Sequence, residues 1–141
     1  MFSKSSKYAI RSILFLATHS TEQERFGAKQ LAGELNVPVH FLAKVLQELV
    51  RKKLISSAKG PGGGFYLTSM NHSMTISEIL EAVDGNEIFK GCVLGFASCS
   101  DENPCPIHVQ VYAYRAGLRY QLAHLSVIEL AEKIKRENLK I

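Results

Sequence analysis

The stretch of residues 50–67, VRKKLISSAKGPGGGFYL, decides the fold. It starts with three adjacent cations, Arg51, Lys52 and Lys53. A short β-prone run, Leu54-Ile55-Ser56-Ser57, follows, and Phe65-Tyr66-Leu67 supplies a second. Between them lies Lys59-Gly60-Pro61-Gly62-Gly63-Gly64, which regular helix or strand does not tolerate. Two short runs around a glycine-rich tip predict a β-hairpin. The four glycines allow positive φ and leave room for another backbone to come close. A flat, cationic hairpin directly after a helix has the form of the wing of a winged helix-turn-helix. An ordinary surface hairpin would look the same from these residues alone, so the preceding segments decide.

Residues 27–35 predict a short helix with Leu31, Ala32 and Leu35 inward. Asn36-Val37-Pro38 is a turn, and Pro38 suits the first turn of the next helix, where its missing N–H costs nothing. That helix runs to about residue 52. Phe41, Leu42, Val45, Leu46 and Leu49 form its buried stripe, leaving Val39, His40, Ala43, Lys44, Gln47 and Arg51 outside. The pair reads as a helix-turn-helix whose second helix enters the major groove, N-terminal residues nearest the base edges. Two such helices alone also fit an αα-hairpin with no DNA role. Ahead of them, residues 3–18 predict another helix with Ile10, Ile13, Leu14 and Ala17 on one face and Lys4, Lys7 and Arg11 near another. Helix, helix-turn-helix and basic hairpin in this order favour a mainly α, winged-helix fold that binds double-stranded DNA. The candidate DNA contacts are Lys4, Lys7, Lys29, Val39, His40, Ala43, Lys44, Gln47 and Arg51 from the helices, and Lys59, Gly60, Gly62 and Gly63 from the wing. Lys59 would reach phosphate or the minor groove. The tip is not a nucleotide-binding loop, because Gly64 runs into Phe65-Tyr66-Leu67 rather than Lys-Ser/Thr and a helix.

Charge supports this division. Residues 1–70 hold ten Lys and Arg against four Asp and Glu, and residues 71–141 hold seven against nine, within a net charge of +4. Positive charge thus gathers in the half with the wing. At 141 residues, 46% of them apolar, the chain suffices for one domain with a real core and an extension or dimerisation element. It has no apolar run of bilayer-spanning length and no signal-peptide h-region near its first residues, so a cytoplasmic protein with no membrane partner is expected. Nothing resembles a nucleophile–base–orienter set or a catalytic carboxylate pair. His19, His40, His72 and His124 are scattered as packing or surface residues are, and no enzyme activity is expected.

After a linker at 70–74, Thr75-Ile76-Ser77-Glu78 is a capping box, with Met74 and Ile79 placed as its staple; the helix ends at Gly85. Residues 89–103 read as irregular. Pro106 then opens a long helix, residues 106–124, with Cys105 at its N-cap. One stripe holds Ile107, Val111, Tyr114, Leu118, Leu122 and Leu125, and a second holds Val109, Ala113, Ala116 and Tyr120 with Tyr112 beside it. One stripe suffices for packing within the chain, so the second predicts a homodimer through this helix. A helix buried on two sides within one chain would show the same pattern. Ser126 opens a last helix, and the charged tail 133–140 is expected to fray. This gives a DNA-binding domain at 1–85, a cysteine-bearing sensor loop at 86–105, and a dimerisation helix with a C-terminal helix at 106–141.

All three cysteines lie in or beside that loop. Cys92, Cys99, Cys105 and His108 are spaced C-x6-C-x5-C-x2-H. Three thiolates and an imidazole can hold tetrahedral zinc or an iron–sulfur cluster. Three reduced thiols acting as a redox switch are the third reading, and spacing does not choose among them. Asp101 and Glu102 are candidate stand-in ligands.

The chain resembles the Rrf2 family of bacterial winged-helix regulators over nearly its whole length. The resemblance lies in Lys7-Tyr8-Ala9-Ile10-Arg11, Gln30-Leu31-Ala32, Phe41-Leu42 with Leu46, and above all Lys59-Gly60-Pro61-Gly62-Gly63-Gly64-Phe65. Residues 76–85 match the following helix. It implies a homodimeric transcription factor, a repressor by expectation. In the family's cluster-bearing members three cysteines and a varying fourth ligand hold a 2Fe–2S centre. Carried over, Cys92, Cys99 and Cys105 are ligands with His108 the fourth, since position 8, where another branch has an acidic ligand, is Tyr8. Cluster-free or zinc-stabilised proteins remain the alternative. This chain departs from the family in its six-residue first gap, and in Ala43, Pro38 and Lys59 where glutamate, serine and arginine are common.

Overall fold

A computed structural model describes residues 2–141. Ser3 caps α1 (Lys4–His19), its hydroxyl accepting from the Ser6 N–H at 3.0 Å. Helix α1 is enclosed on most sides: Ser6, Ala9, Ser12, Ile13, Phe15, Leu16 and Ala17 are all buried. The expected stripe was too narrow. Ile13 and Ala17 are buried, but Ile10 and Leu14 are only half-buried. The small residues Ser6, Ala9 and Ser12 let neighbouring helices approach α1, a use of serine that hydrophobic periodicity does not register. Arg11 is likewise not free for phosphate; its guanidinium donates to the Leu35 carbonyl at 2.6 Å.

The helix-turn-helix comprises α2 (Ala28–Leu35) and α3 (Val39–Arg51). Asn36 turns the chain in the left-handed conformation, φ 52° and ψ 55°, which Asn tolerates better than most residues. Pro38 sits at the N-cap of α3, one residue before the expected first position; its ψ of 124° is extended, and its carbonyl accepts from Leu42 N–H. Leu42, Val45, Leu46 and Leu49 seat α3 on the core, while Phe41 is 38% exposed and packs edge-on against Tyr8.

Strands β1 (Ser56–Ala58) and β2 (Gly64–Tyr66) pair antiparallel, Ser57 opposite Phe65. Pro61 and Gly62 occupy the centre of the tip turn, closed by Gly63 N–H to the Gly60 carbonyl; Gly62 has φ 73°, as a type II turn requires. Gly64 has the close backbone approach. Phe26 and Phe65 exchange both backbone hydrogen bonds, at 3.0 and 2.8 Å, and a Cβ on Gly64 would lie 2.8 Å from the Phe26 carbonyl carbon. The loop between α1 and α2 thus adds a third rail to the wing.

A 3₁₀ turn at Ser69–Asn71 leads to α4 (Ile76–Asp84), whose Thr75–Glu78 capping box is formed and which Gly85 ends at φ 73°. A short α5 (Glu87–Lys90) then interrupts what reads as irregular sequence. The long helix α6 is shorter than expected, His108–Ala123, with Ile107 rather than Cys105 at its N-cap. Residues 105–108 form a turn instead, with His108 N–H to the Cys105 carbonyl at 3.0 Å. Last, α7 (Val127–Glu137) packs against α1, burying Val127 and Ala131 in the same core. It remains helical through residues expected to fray, because the Ser126–Glu129 box holds its start and Asn138, left-handed, closes its end. Its entry is tied to that of α4: Ile76 N–H reaches the Leu125 carbonyl at 3.0 Å and Val127 N–H the Met74 carbonyl at 2.9 Å. No helix among the described residues is long and apolar enough to cross a membrane.

Candidate nucleic-acid interface and cysteine site

The outer face of α3 presents His40, Lys44, Gln47 and Arg51 exposed, with Val39 and Ala43 half-buried between them. On one flank Gln47 and Val50 share a groove of about 310 Å³ with the wing, also lined by Ala58, Lys59 and Phe65. On the other flank, Lys44 and Glu48 share a 260 Å³ groove with Ser5 of α1 and Val83 of α4. Lys4, Lys7 and Lys29 are exposed near the helix starts, and Lys59, Gly60 and Gly62 at the wing tip; Gly63 is half-buried. Arg51 is engaged by Glu48, which also holds Lys52 at 3.2 Å. Arg25, absent from the sequence-based candidates, lies over the Tyr66 ring at 5.0 Å, adding a cation to the wing. Its distance in sequence from β2 hid it.

The second site lies where α4, α5 and α6 meet. The inner stripe of α6 is His108, Val111, Arg115, Leu118 and Leu122. Arg115 takes the place expected for Tyr114, which is 60% exposed. The guanidinium of Arg115 donates to the Gly91 carbonyl at the end of α5. Arg119 reaches Glu81 of α4 at 3.2 Å and lies 5.8 Å from the centre of the Phe89 ring. A helix stripe scored by apolarity omits these arginines, yet both fasten α6 beside the start of the cysteine loop.

The sulfurs of Cys92, Cys99 and Cys105 all lie within 4.8 Å of one another. They border a cavity of about 250 Å³ shared with His108, Tyr112 and Arg115. Nδ1 of His108 is 3.1 Å from Cys99 Sγ. Its Nε2 is 2.9 Å from Asp101 Oδ1, so Asp101 lies behind the histidine; the mutually close donors are the three cysteines, with His108, the expected fourth ligand, beside Cys99 alone and outside that group. Burial opposes ionisation of Cys92, but backbone N–H groups of Phe96 and Leu94 and the neighbouring Cys99 and Cys105 lower it to about 7. For Cys99, the Cys105 N–H at 3.4 Å favours the thiolate, while desolvation and the adjacent Cys92 and Cys105 thiols push it up.

The donor set suits a thiophilic metal or an iron–sulfur centre. Zinc–thiolate bonds are about 2.3 Å, so sulfurs on one ion stand no more than roughly 4.6 Å apart; the 4.8 Å that bounds the three sulfurs is slightly wider than this.

Known proteins share this plan. Residues 2–133 match the Rrf2 family, described as iron-dependent transcriptional regulators. The chain belongs to the Rrf2 family. A putative HTH-type transcriptional regulator of Aquifex aeolicus is 32% identical over 110 residues, covering 77% of this chain and 75% of that one. IscR of Vibrio parahaemolyticus is 28% identical over 102 residues, covering 72% of this chain and 60% of the relative. The structure of CymR, the global cysteine regulator of B. subtilis, superposes with a TM-score of 0.73 at 20% identity, covering 94% and 97% of the two chains. The family is one of transcriptional regulators, its Aquifex relative is of the helix-turn-helix type, and the helix-turn-helix and wing are both formed in this chain. The chain is a DNA-binding transcriptional regulator.

Proposed function

We propose that this Rrf2 regulator works as a homodimeric, cytoplasmic repressor whose operator affinity is set by an iron–sulfur cluster, of the 2Fe–2S type, held by Cys92, Cys99, Cys105 and His108. The convergence of three sulfurs in the loop between α5 and α6 carries this reading. When bound, the centre would supply a redox- and ligand-sensitive link across the loop. The chain's own residues do the rest. Cys92 ties the centre to α5, Cys99 and Cys105 to the loop, and His108 to the first turn of α6. A state that orders this loop biases the position of α6 relative to α4, and whichever state binds operator more tightly is favoured by it in turn.

The dimer reading rests on the outer face of α6. Val109 and Tyr120 are 70% and 63% exposed, while the inner side of α6 packs against α4 and α5. A symmetric pair would present two copies of α3 to a two-fold related operator. There residues 1–85 serve as the DNA-binding unit, 86–105 as the sensor loop and 106–141 as the segment carrying the dimer helix. Lys4, Lys7, Lys29, Arg51, Lys59, Gly60, Gly62 and Gly63 contact the backbone; Val39, His40, Ala43, Lys44 and Gln47 face the bases.

The test is anaerobic purification followed by iron and acid-labile sulfide analysis, a visible spectrum, and gel shifts on selected operator DNA before and after cluster removal. Iron and sulfide in equal amounts, with a change in affinity on removal, are expected. Colourless protein carrying neither overturns the cluster. Zinc on the same thiolates is the second reading, which the three-cysteine donor set also suits; zinc in the colourless protein would establish it.

A further inference from the structure

We propose that Asp101 is a positioning residue that makes Nδ1 of His108 the ring nitrogen offered to the metal beside Cys99. This rests on the reading of the cysteine site as a metal site. A carboxylate has no proton to give, so the 2.9 Å contact between His108 Nε2 and Asp101 Oδ1 requires the imidazole to donate from Nε2. The lone pair of the neutral ring then lies on Nδ1, the atom 3.1 Å from Cys99 Sγ. Imidazole ligands are commonly fixed in this way, one nitrogen on the metal and the other donating to a carboxylate.

Two further features hold the arrangement. Asp101 projects from a turn in which Ser100 N–H reaches the Asn103 carbonyl and Asn103 N–H reaches Ser100 Oγ, each at 3.2 Å. On the other side, the Tyr112 ring lies nearly parallel to His108, with centroids 6.2 Å apart and planes inclined by 12°. The ring is set between a turn of the loop and the next turn of α6. Cys99 and Asp101 are two residues apart, so one short segment supplies both a sulfur and the group that aims the imidazole. His108 is 18% exposed in its side chain and Asp101 is 85% exposed, so the carboxylate stays hydrated while the ring faces the sulfurs.

The experiment uses the full chain, reduced and metal-free, with Asp101→Ala and Asp101→Asn. Nitrogen NMR of the His108 ring reads the tautomer. The wild type is expected to be protonated at Nε2, the alanine variant a mixture, and the asparagine variant, which keeps an acceptor, close to wild type. ¹¹³Cd(II) loading then identifies the ligating nitrogen by its coupling, expected at Nδ1. Co(II) titration should show binding weakened about 10–100-fold in Asp101→Ala and less in Asp101→Asn. Circular dichroism confirms that the variants fold. Cadmium coupling at Nε2, or Co(II) affinity unchanged in Asp101→Ala, overturns the proposal and leaves the metal site standing. A wild type that takes up neither ion overturns the metal site and the proposal together.

Discussion

Single residues set the sharpest constraints. At Gly64, φ is 142° and a Cβ would press on the Phe26 backbone. Gly64→Ala should therefore lose the Phe26–Phe65 bridge and cost about 1–3 kcal/mol, read as a lower Tm and weaker operator binding. Gly33 is the contrast: it lies inside α2, has no atom within 4 Å of a built Cβ and no positive φ. Gly33→Ala should raise stability by roughly 0.4–1 kcal/mol. At the cysteine site, Cys92 is lowered to about 7 and ionises ahead of Cys99. In metal-free reduced protein, its alkylation rate should climb through that pH, while Cys99, pushed up, lags behind. Mass spectrometry of the modified peptides reads the order, and equal rates at Cys92 and Cys99 would contradict it. For DNA, Lys59→Ala should weaken binding across sequences and reduce the salt slope by about 1, whereas changing Gln47 or Lys44 should alter sequence preference. Gel shifts on mutated operators over a salt series separate these effects.

At the scale of elements, α7 depends on its cap. Ser126 Oγ accepts from Glu129 N–H, and the Glu129 carboxylate accepts from the Ser126 hydroxyl and N–H. The Ser126 hydroxyl, followed by its backbone N–H, holds Glu129 below the ordinary glutamate range. A carboxylate lowered in the folded state contributes stability that is complete above its unfolded pKa and is lost as pH falls through the folded one. The Tm of the wild type should therefore fall more steeply than that of Glu129→Gln below about pH 4.5. Parallel curves would mean that the box does not hold α7. Much of this level was legible in the sequence. The two capping boxes, the Asn-Val-Pro turn, the glycine tip and the stripe of α3 rely on neighbours a few residues away. The short α5, the start of α6 at His108 and the inward Arg115 were not legible. Each is decided by what packs across from it.

For the whole molecule, assembly turns on the two faces of α6. Its inner face is fastened to α4 and α5 by Arg115 and Arg119, while Val109 and Tyr120 are exposed on its outer face. In the homodimer proposed above, Tyr120→Glu would place two like charges near one symmetric contact. It should convert the dimer to a single chain in sedimentation and weaken operator binding, with little loss of secondary structure. A variant that stays dimeric would place the interface elsewhere.

Local sequence by itself determined the order of helices, the helix-turn-helix, the wing and the spacing of the four metal-site candidates, because capping, periodicity and glycine conformation act over a few residues. Only the tertiary structure decided that Phe26 completes the wing and that α7 returns to α1. It also brought three sulfurs separated by six and five residues to within 4.8 Å of one another, and put Asp101 behind His108 instead of among them. Those outcomes depend on backbone hydrogen bonds and packing between segments distant along the chain, which composition and periodicity do not encode.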